Sequence, residues 1–283
     1  MLVLCVDGGG LMAEPNPEEL FDLGVLSYHK QDFSKARKYF EKACDLNNGL
    51  GCGALGDLYD DRKGVEKNSK KAAYLYSKAC DLNNGSGCGA LGLLYFEKDS
   101  KKAVALFEKA CDLKDGVGCS NLGMLYRKGE GVEKNLTIAT QFYTKACDLN
   151  FGGGCGALGV LYENGRGVEK DLIKAAQFYS KACELNDGFG CVALGALYEN
   201  GKFVEKDLTK AAQFYSKACD LKDGVGCVAL GRLYYNGEGV EKDLTKAAQF
   251  YSKACQLGNQ KACDMSYDKR KALESFNLFL VFF

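Results

Sequence analysis

Lys217–Tyr234 reads KACDLKDGVGCVALGRLY, and near copies of this stretch recur along most of the 283-residue chain. At its core are two cysteines eight positions apart, Cys219 and Cys227. The same spacing recurs at Cys44/Cys52, Cys80/Cys88, Cys111/Cys119, Cys147/Cys155, Cys183/Cys191 and Cys255/Cys263. The first cysteine follows Ala and precedes an acid and Leu, except where Gln256 replaces the acid. The second opens a Leu-Gly-x-Leu-Tyr run in all but the last copy. From pair to pair the step is 36, 31, 36, 36, 36 and 36 residues. A period of this length marks a solenoid, in which each unit buries its apolar face only by stacking on its neighbours.

One unit, taken from Cys227, predicts a helical hairpin. Leu230, Leu233 and Tyr234 fall three and four apart, the spacing of one helical face, and Gly237 and Gly239 end this helix A. Asp243 stands where an N-cap is wanted, and Asn68, Asn135, Asp171 and Asp207 hold the same place in other units. Helix B then runs LTKAAQFYSKACQL with Ala247, Phe250, Tyr251, Ala254 and Leu257 as its buried stripe. Gly258 is expected to stop it in the left-handed conformation, with Gly49, Gly85, Gly116, Gly152, Gly188 and Gly224 near the same stop elsewhere. The units fall at 18–46, 50–82, 86–113, 117–149, 153–185, 189–221 and 225–257. The first has a short turn at Gln31-Asp32, and the third lacks five residues of its inter-helix loop. Residues 1–13 read as a degenerate leader, 14–265 as the array, and 260–283 as a capping helix with the apolar tail LFLVFF.

Composition narrows the chemistry. Lys plus Arg equals Asp plus Glu at 37 each, which gives no electrostatic reason to expect nucleic acid or an anionic membrane as partner. No run of eighteen apolar residues occurs, so no helical membrane span is expected. Of the 15 cysteines, fourteen are in the equal-spaced pairs and Cys5 is left over. Two readings compete for the pairs. Zinc sites place ligands two to four residues apart and often use His, whereas this chain has one histidine, His29. Even pairing at constant separation favours disulfides, each tying the end of one helix B to the start of the next helix A. Such bonds persist in oxidising compartments, so a secreted or periplasmic protein is expected. No cofactor or metal is indicated.

The pattern Ala-x-x-Leu-Gly-x-Leu-Tyr, Gly-x-Gly-Val, Asp/Asn, Lys-Ala, Tyr-x-Lys-Ala-Cys resembles the Sel1-like repeat, a relative of the tetratricopeptide repeat. Cysteines eight positions apart narrow the resemblance to the Helicobacter cysteine-rich protein (Hcp) family, over about residues 18–265. The resemblance implies a secreted, all-α, right-handed α/α solenoid with one disulfide per repeat. It also implies penicillin binding and a β-lactamase assignment.

Comparing the repeats with one another separates scaffold from surface. Leu55, Gly56, Leu58 and Tyr59 have near-constant counterparts, while Gly53, Asp57, Asp60 and Asp61 occupy positions that vary on the opposite arc of helix A. By analogy with tetratricopeptide proteins, helix A lines the inner curve. One row along that face reads Asp57, Leu93, Met124, Val160, Ala196, Arg232, and the next reads Asp60, Phe96, Arg127, Glu163, Glu199, Tyr235. An apolar middle with charged ends suits an extended protein or peptide ligand; a β-lactam or cell-wall-related small molecule is the family-implied alternative. For a serine β-lactamase, Ser27-Tyr-His-Lys30 and Ser266-Tyr-Asp-Lys269 satisfy the nucleophile-to-lysine spacing. The supporting Ser-Asp-Asn and Lys-Thr-Gly elements are missing, and Ser27 and Lys30 are weak candidates on spacing alone.

Overall fold

The computed structural model describes residues 16–201 and 205–265, and the chain divides into two compact units, 1–98 and 99–283. The expected leader, Cys5, Ser266, Lys269 and the apolar tail lie outside the described residues. Among the described residues there are helices and turns and no strand. The first unit holds α1 (Pro17–His29), α2 (Phe33–Asp45), α3 (Gly49–Asp60), α4 (Ser69–Asp81) and α5 (Gly85–Phe96). The second holds α6 (Ser100–Asp112), α7 (Gly116–Lys128), α8 (Leu136–Asp148), α9 (Gly152–Asn164) and α10 (Leu172–Glu184), and then α11 (Gly188–Asn200), α12 (Leu208–Asp220), α13 (Gly224–Asn236) and α14 (Leu244–Gln256). Odd-numbered helices are the A helices and even-numbered the B helices.

Helix α10 illustrates why these segments are helical. The Asp171 side chain accepts from the Lys174 backbone N–H at 2.9 Å, satisfying one of the orphan amides at the helix start. Ala175, Tyr179, Ala182 and Cys183 then repeat on one face and are buried. The sequence places the B-helix caps correctly at Asn68, Asn135, Asp171, Asp207 and Asp243.

Its reading of the B-helix stop needs correction. Only Gly258, at φ +88°, is the left-handed glycine expected there. In the other repeats that conformation is taken by Asn47, Asn83, Lys114, Asn150, Asn186 and Lys222. Asn tolerates it because its short side chain hydrogen-bonds locally. Glycines such as Gly152 and Gly188 are instead the first residues of the next A helix. They are small because the following repeat presses on them: a Cβ on Gly152 would lie 2.8 Å from that of Asp187. Leu257, expected in the buried stripe, is 37% exposed, since the helix ends before its side chain reaches the core.

Within each unit a B helix packs on the A helix before it and the A helix after it, and successive A helices touch. Core clusters therefore cross repeat boundaries: Tyr143 of α8, Leu158 and Leu161 of α9 and Ala182 of α10 belong to one. Each fully buried leucine contributes about 1.5–3 kcal/mol.

All seven cysteine pairs are disulfides, with Cα atoms 4.5–4.7 Å apart: Cys44–Cys52, Cys80–Cys88, Cys111–Cys119, Cys147–Cys155, Cys183–Cys191, Cys219–Cys227 and Cys255–Cys263. Each of the first six ties the last turn of a B helix to the first turn of the next A helix, and Cys255–Cys263 ties α14 to the helical turn after it. The pairing matches the sequence reading, but these cysteines are core residues and not part of an accessible site. Cys52, Cys88, Cys119, Cys155, Cys191 and Cys227 are each 0% exposed. The reason is their register: each is the fourth residue of its A helix, and that helix packs there on the B helix before it. Cys155 accordingly shares a core cluster with Cys147, Leu158 and Leu161, and Cys119 shares one with Cys111 and Ala146. With the sulfurs bonded and inaccessible, none of these six can serve as a thiolate nucleophile or touch a ligand.

Candidate functional site

The A-helix surface of the second unit is built from beneath. At Gly159 on α9 a Cβ would stand 2.4 Å from the Tyr179 ring, so the ring lies against bare backbone. That seat holds a ring only 1% exposed, while its hydroxyl reaches the A face and donates to Glu163 Oε2 at 2.7 Å. One repeat on, Gly195 seats Tyr215, whose hydroxyl donates to Glu199 Oε2 at 2.7 Å. Gly123 seats Tyr143, whose hydroxyl lies near the Arg127 guanidinium. In the first unit Gly56 seats Tyr76, whose hydroxyl donates to Asp57 Oδ1 at 2.8 Å.

Electrostatics follow from these seats. Burial, reinforced by the neighbouring carboxylates, pushes the Tyr179 and Tyr215 hydroxyls well above the usual tyrosine range. Burial also raises Tyr143, opposed by Arg127. All three remain protonated at physiological pH; Tyr179 and Tyr215 donate to their carboxylates, whereas the Tyr143 oxygen faces the Arg127 guanidinium as an acceptor. Burial raises the Asp57 carboxyl, against the lowering effect of its Tyr76 bond.

The face is cross-linked at one end. Arg232 Nη2 on α13 reaches back to Glu199 Oε1 on α11, and Arg232 Nη1 stands 3.7 Å from Glu238 Oε2. A positive group thus lies between two negative ones, with Tyr215 bracing the first. Of the other expected ligand-binding positions in this unit, Arg127 and Tyr235 are exposed, and Met124, Val160, Glu163 and Ala196 are half-buried. In the first unit Leu93 is 52% exposed and Phe96 half-buried. Asp57 there borders a cleft of about 330 Å³ lined also by Phe21, Val25, Tyr28, His29, Phe40, Ala54 and Asp61.

The weak catalytic candidates lie on and just after α1. Ser27 is 6% exposed and its Oγ donates to Leu23 O at 2.8 Å, while Lys30 is exposed as the C-cap of α1. The hydroxyl is thus engaged with its own helix.

Sequence reasoning missed the supporting tyrosines Tyr143, Tyr179 and Tyr215. The available signal was the constant separation between the A-helix glycine and the B-helix tyrosine, repeat after repeat. A second device recurs beside it. Tyr162 stacks on Phe178 at 5.4 Å and carries Lys174 Nζ 5.4 Å from its centroid, and Tyr198 and Tyr234 have equivalent partners. Cation–π contact and ring stacking therefore join the two helices of each of these hairpins at its partly exposed surface.

Comparison with known proteins places these features in a family. The Sel1 repeat matches residues 50–84, 88–115, 116–151, 154–187, 189–223 and 224–259, and the tetratricopeptide repeat matches residues 17–50. HcpC of Helicobacter pylori strain J99 is 58% identical over 72 residues, covering 24% of this chain and 25% of that protein. Beta-lactamase HcpA of the same strain is 52% identical over 73 residues, covering 25% of this chain and 29% of that protein. The aligned region thus spans less than a third of either relative. Among solved structures, a Sel1 repeat protein from Oxalobacter formigenes superposes with a TM-score of 0.69 at 25% identity, covering 89% of this chain and 75% of that one. With its repeats matched over more than half its length, the chain belongs to the Sel1 repeat family.

Proposed function

We propose that this chain is an exported, disulfide-stapled scaffold that holds a protein or peptide partner along the A-helix surface of its second unit. One observation carries the reading. Charged groups on an accessible face are held in place by buried tyrosines, at Glu163 and Glu199. Fixing a side chain before binding lowers the entropy cost of association, which suits recognition. Met124, Val160 and Ala196 supply apolar surface between them. Export is supported by the seven disulfides, which a reducing cytosol would not maintain.

The test is retention of a partner by immobilised full-length protein from envelope and culture-medium extracts, identified by mass spectrometry. A partner held by the wild type and lost with Ala196→Trp, which overfills the face, is the expected result. A partner held equally by both would refute the reading.

A second reading, β-lactam hydrolysis, is favoured by the 52% identity to Beta-lactamase HcpA. Turnover of a chromogenic cephalosporin by purified protein tests it. Because Ser27 is buried and hydrogen-bonded to its own helix, any turnover should survive Ser27→Ala. Absence of turnover would leave the scaffold reading alone.

A further inference from the structure

Two stretches of the A face have the same framework and opposite charge. Toward the C-terminal end, Glu199 on α11 and Glu238 in the loop after α13 flank Arg232. Tyr215 braces Glu199 from below. The arrangement alternates negative, positive, negative, so each charge has a partner within the chain.

Two repeats earlier, Arg127 occupies the register of Glu199, beside Tyr143 in the register of Tyr215. Arg166 occupies the register of Glu238, in the loop after α9. The residue between them, in the register of Arg232, is Val160. The outer charges are inverted and the central one is lacking. Both arginines are exposed, and among the described residues neither has a carboxylate partner. Val160 is shorter than arginine and only half-buried, so its own side chain does not reach where the guanidinium of its counterpart lies. Like charges flanking an apolar residue repel one another, and an anion between them relieves that repulsion.

We infer that Arg127 and Arg166 clamp an acidic side chain, Asp or Glu, of the partner segment over Val160. The inference rests on the A face being the binding surface. Two guanidinium groups converging on one carboxylate form charge-assisted, geometrically selective hydrogen bonds. Charge complementarity thus names the occupant: a segment of protein with an acidic residue presented on its face. The apolar contact with Val160 takes the methylene of that side chain.

The chain itself supplies the test. Val160→Glu would place a tethered carboxylate between the two arginines, as Arg232 stands between two glutamates. This variant should melt at or above the wild-type temperature although an apolar half-buried residue has become charged, and Val160→Lys should melt below both. Binding is read by fluorescence anisotropy with short, C-terminally amidated peptides carrying one central Glu or, as the control, Gln. The amide removes the chain-terminal carboxylate, so the signal reports the side chain. The Glu peptide should bind about fivefold more tightly than the Gln peptide, and Val160→Glu or Arg127→Gln with Arg166→Gln should erase that preference.

If Val160→Glu destabilises as much as Val160→Lys, or the Glu and Gln peptides bind alike, the clamp is overturned. Should Ala196→Trp still abolish binding in that case, the scaffold reading survives without the clamp. If no peptide binds and neither variant alters partner retention, both fall.

Discussion

Removing one staple should have a cost that can be worked out in advance. Cys183 and Cys191 lie eight residues apart, joining α10 to α11. Closing a loop of that length removes unfolded-chain entropy equivalent to about 2.5 kcal/mol at 25 °C. Both residues are nearly inaccessible, at 2% and 0% exposure, so replacing them with alanine also loses buried sulfur packing, on the order of 1 kcal/mol. The entropic part alone should lower the melting temperature of Cys183→Ala/Cys191→Ala by about 5–10 °C. In a linear array each repeat is stabilised by its neighbours, so the loss should be local. Hydrogen exchange should quicken first in α10 and α11. The assay is calorimetry without reductant, paired with exchange mass spectrometry. A melting temperature within about 1 °C of wild type, with unchanged exchange in both helices, would refute the claim that the bond holds neighbouring hairpins together. The same burial means that a thiol reductant should cleave these bonds only when the native state opens.

Gly159→Ala places a methyl 2.4 Å from the Tyr179 ring, and the resulting overpacking should cost about 1–3 kcal/mol by urea denaturation, partly offset by better helix propensity; an unchanged midpoint would mean the ring is not seated there. The Asp171 carboxyl is held below its ordinary value of 3.8, chiefly by the Lys174 backbone N–H. Its contribution is therefore fully present above the unfolded value and lost as pH falls through the folded one. Asp171→Asn should keep the cap and reduce the loss of stability below about pH 4, measured by circular dichroism across an acid titration. Arg232→Leu removes an ion pair whose arginine side chain is 42% exposed, so stability should fall by less than about 1 kcal/mol in chemical denaturation. A larger loss would show that the pair is structural and not simply a charge arrangement on the face.

Much of this protein was legible from local pattern. The recurring cysteines, the cap at Asp171 and its counterparts, and the apolar stripe of Tyr179 and Ala182 depend on residues within a turn or two of one another. Helix periodicity and capping act at that range, so the hairpins and their order follow directly. The misassigned stop was also local in origin. Glycine is the commonest left-handed residue, but Asn186 or Lys222 takes that role here, and the adjacent glycine meets a different demand, close contact with the next repeat.

The candidate site was legible only as a row of varying positions. That Glu163 and Glu199 are braced from below depends on how far a tyrosine seated on a glycine extends between two packed helices. That Arg232 pairs with Glu199, 33 residues earlier, depends on the distance between successive A helices. Sequence alone determined the repeat, the hairpins and which cysteines could meet, because these are set by spacing along the chain. Only the tertiary structure decided how deeply those cysteines are buried and which surface charges are already partnered, because both are set by distances across helices that no single repeat contains.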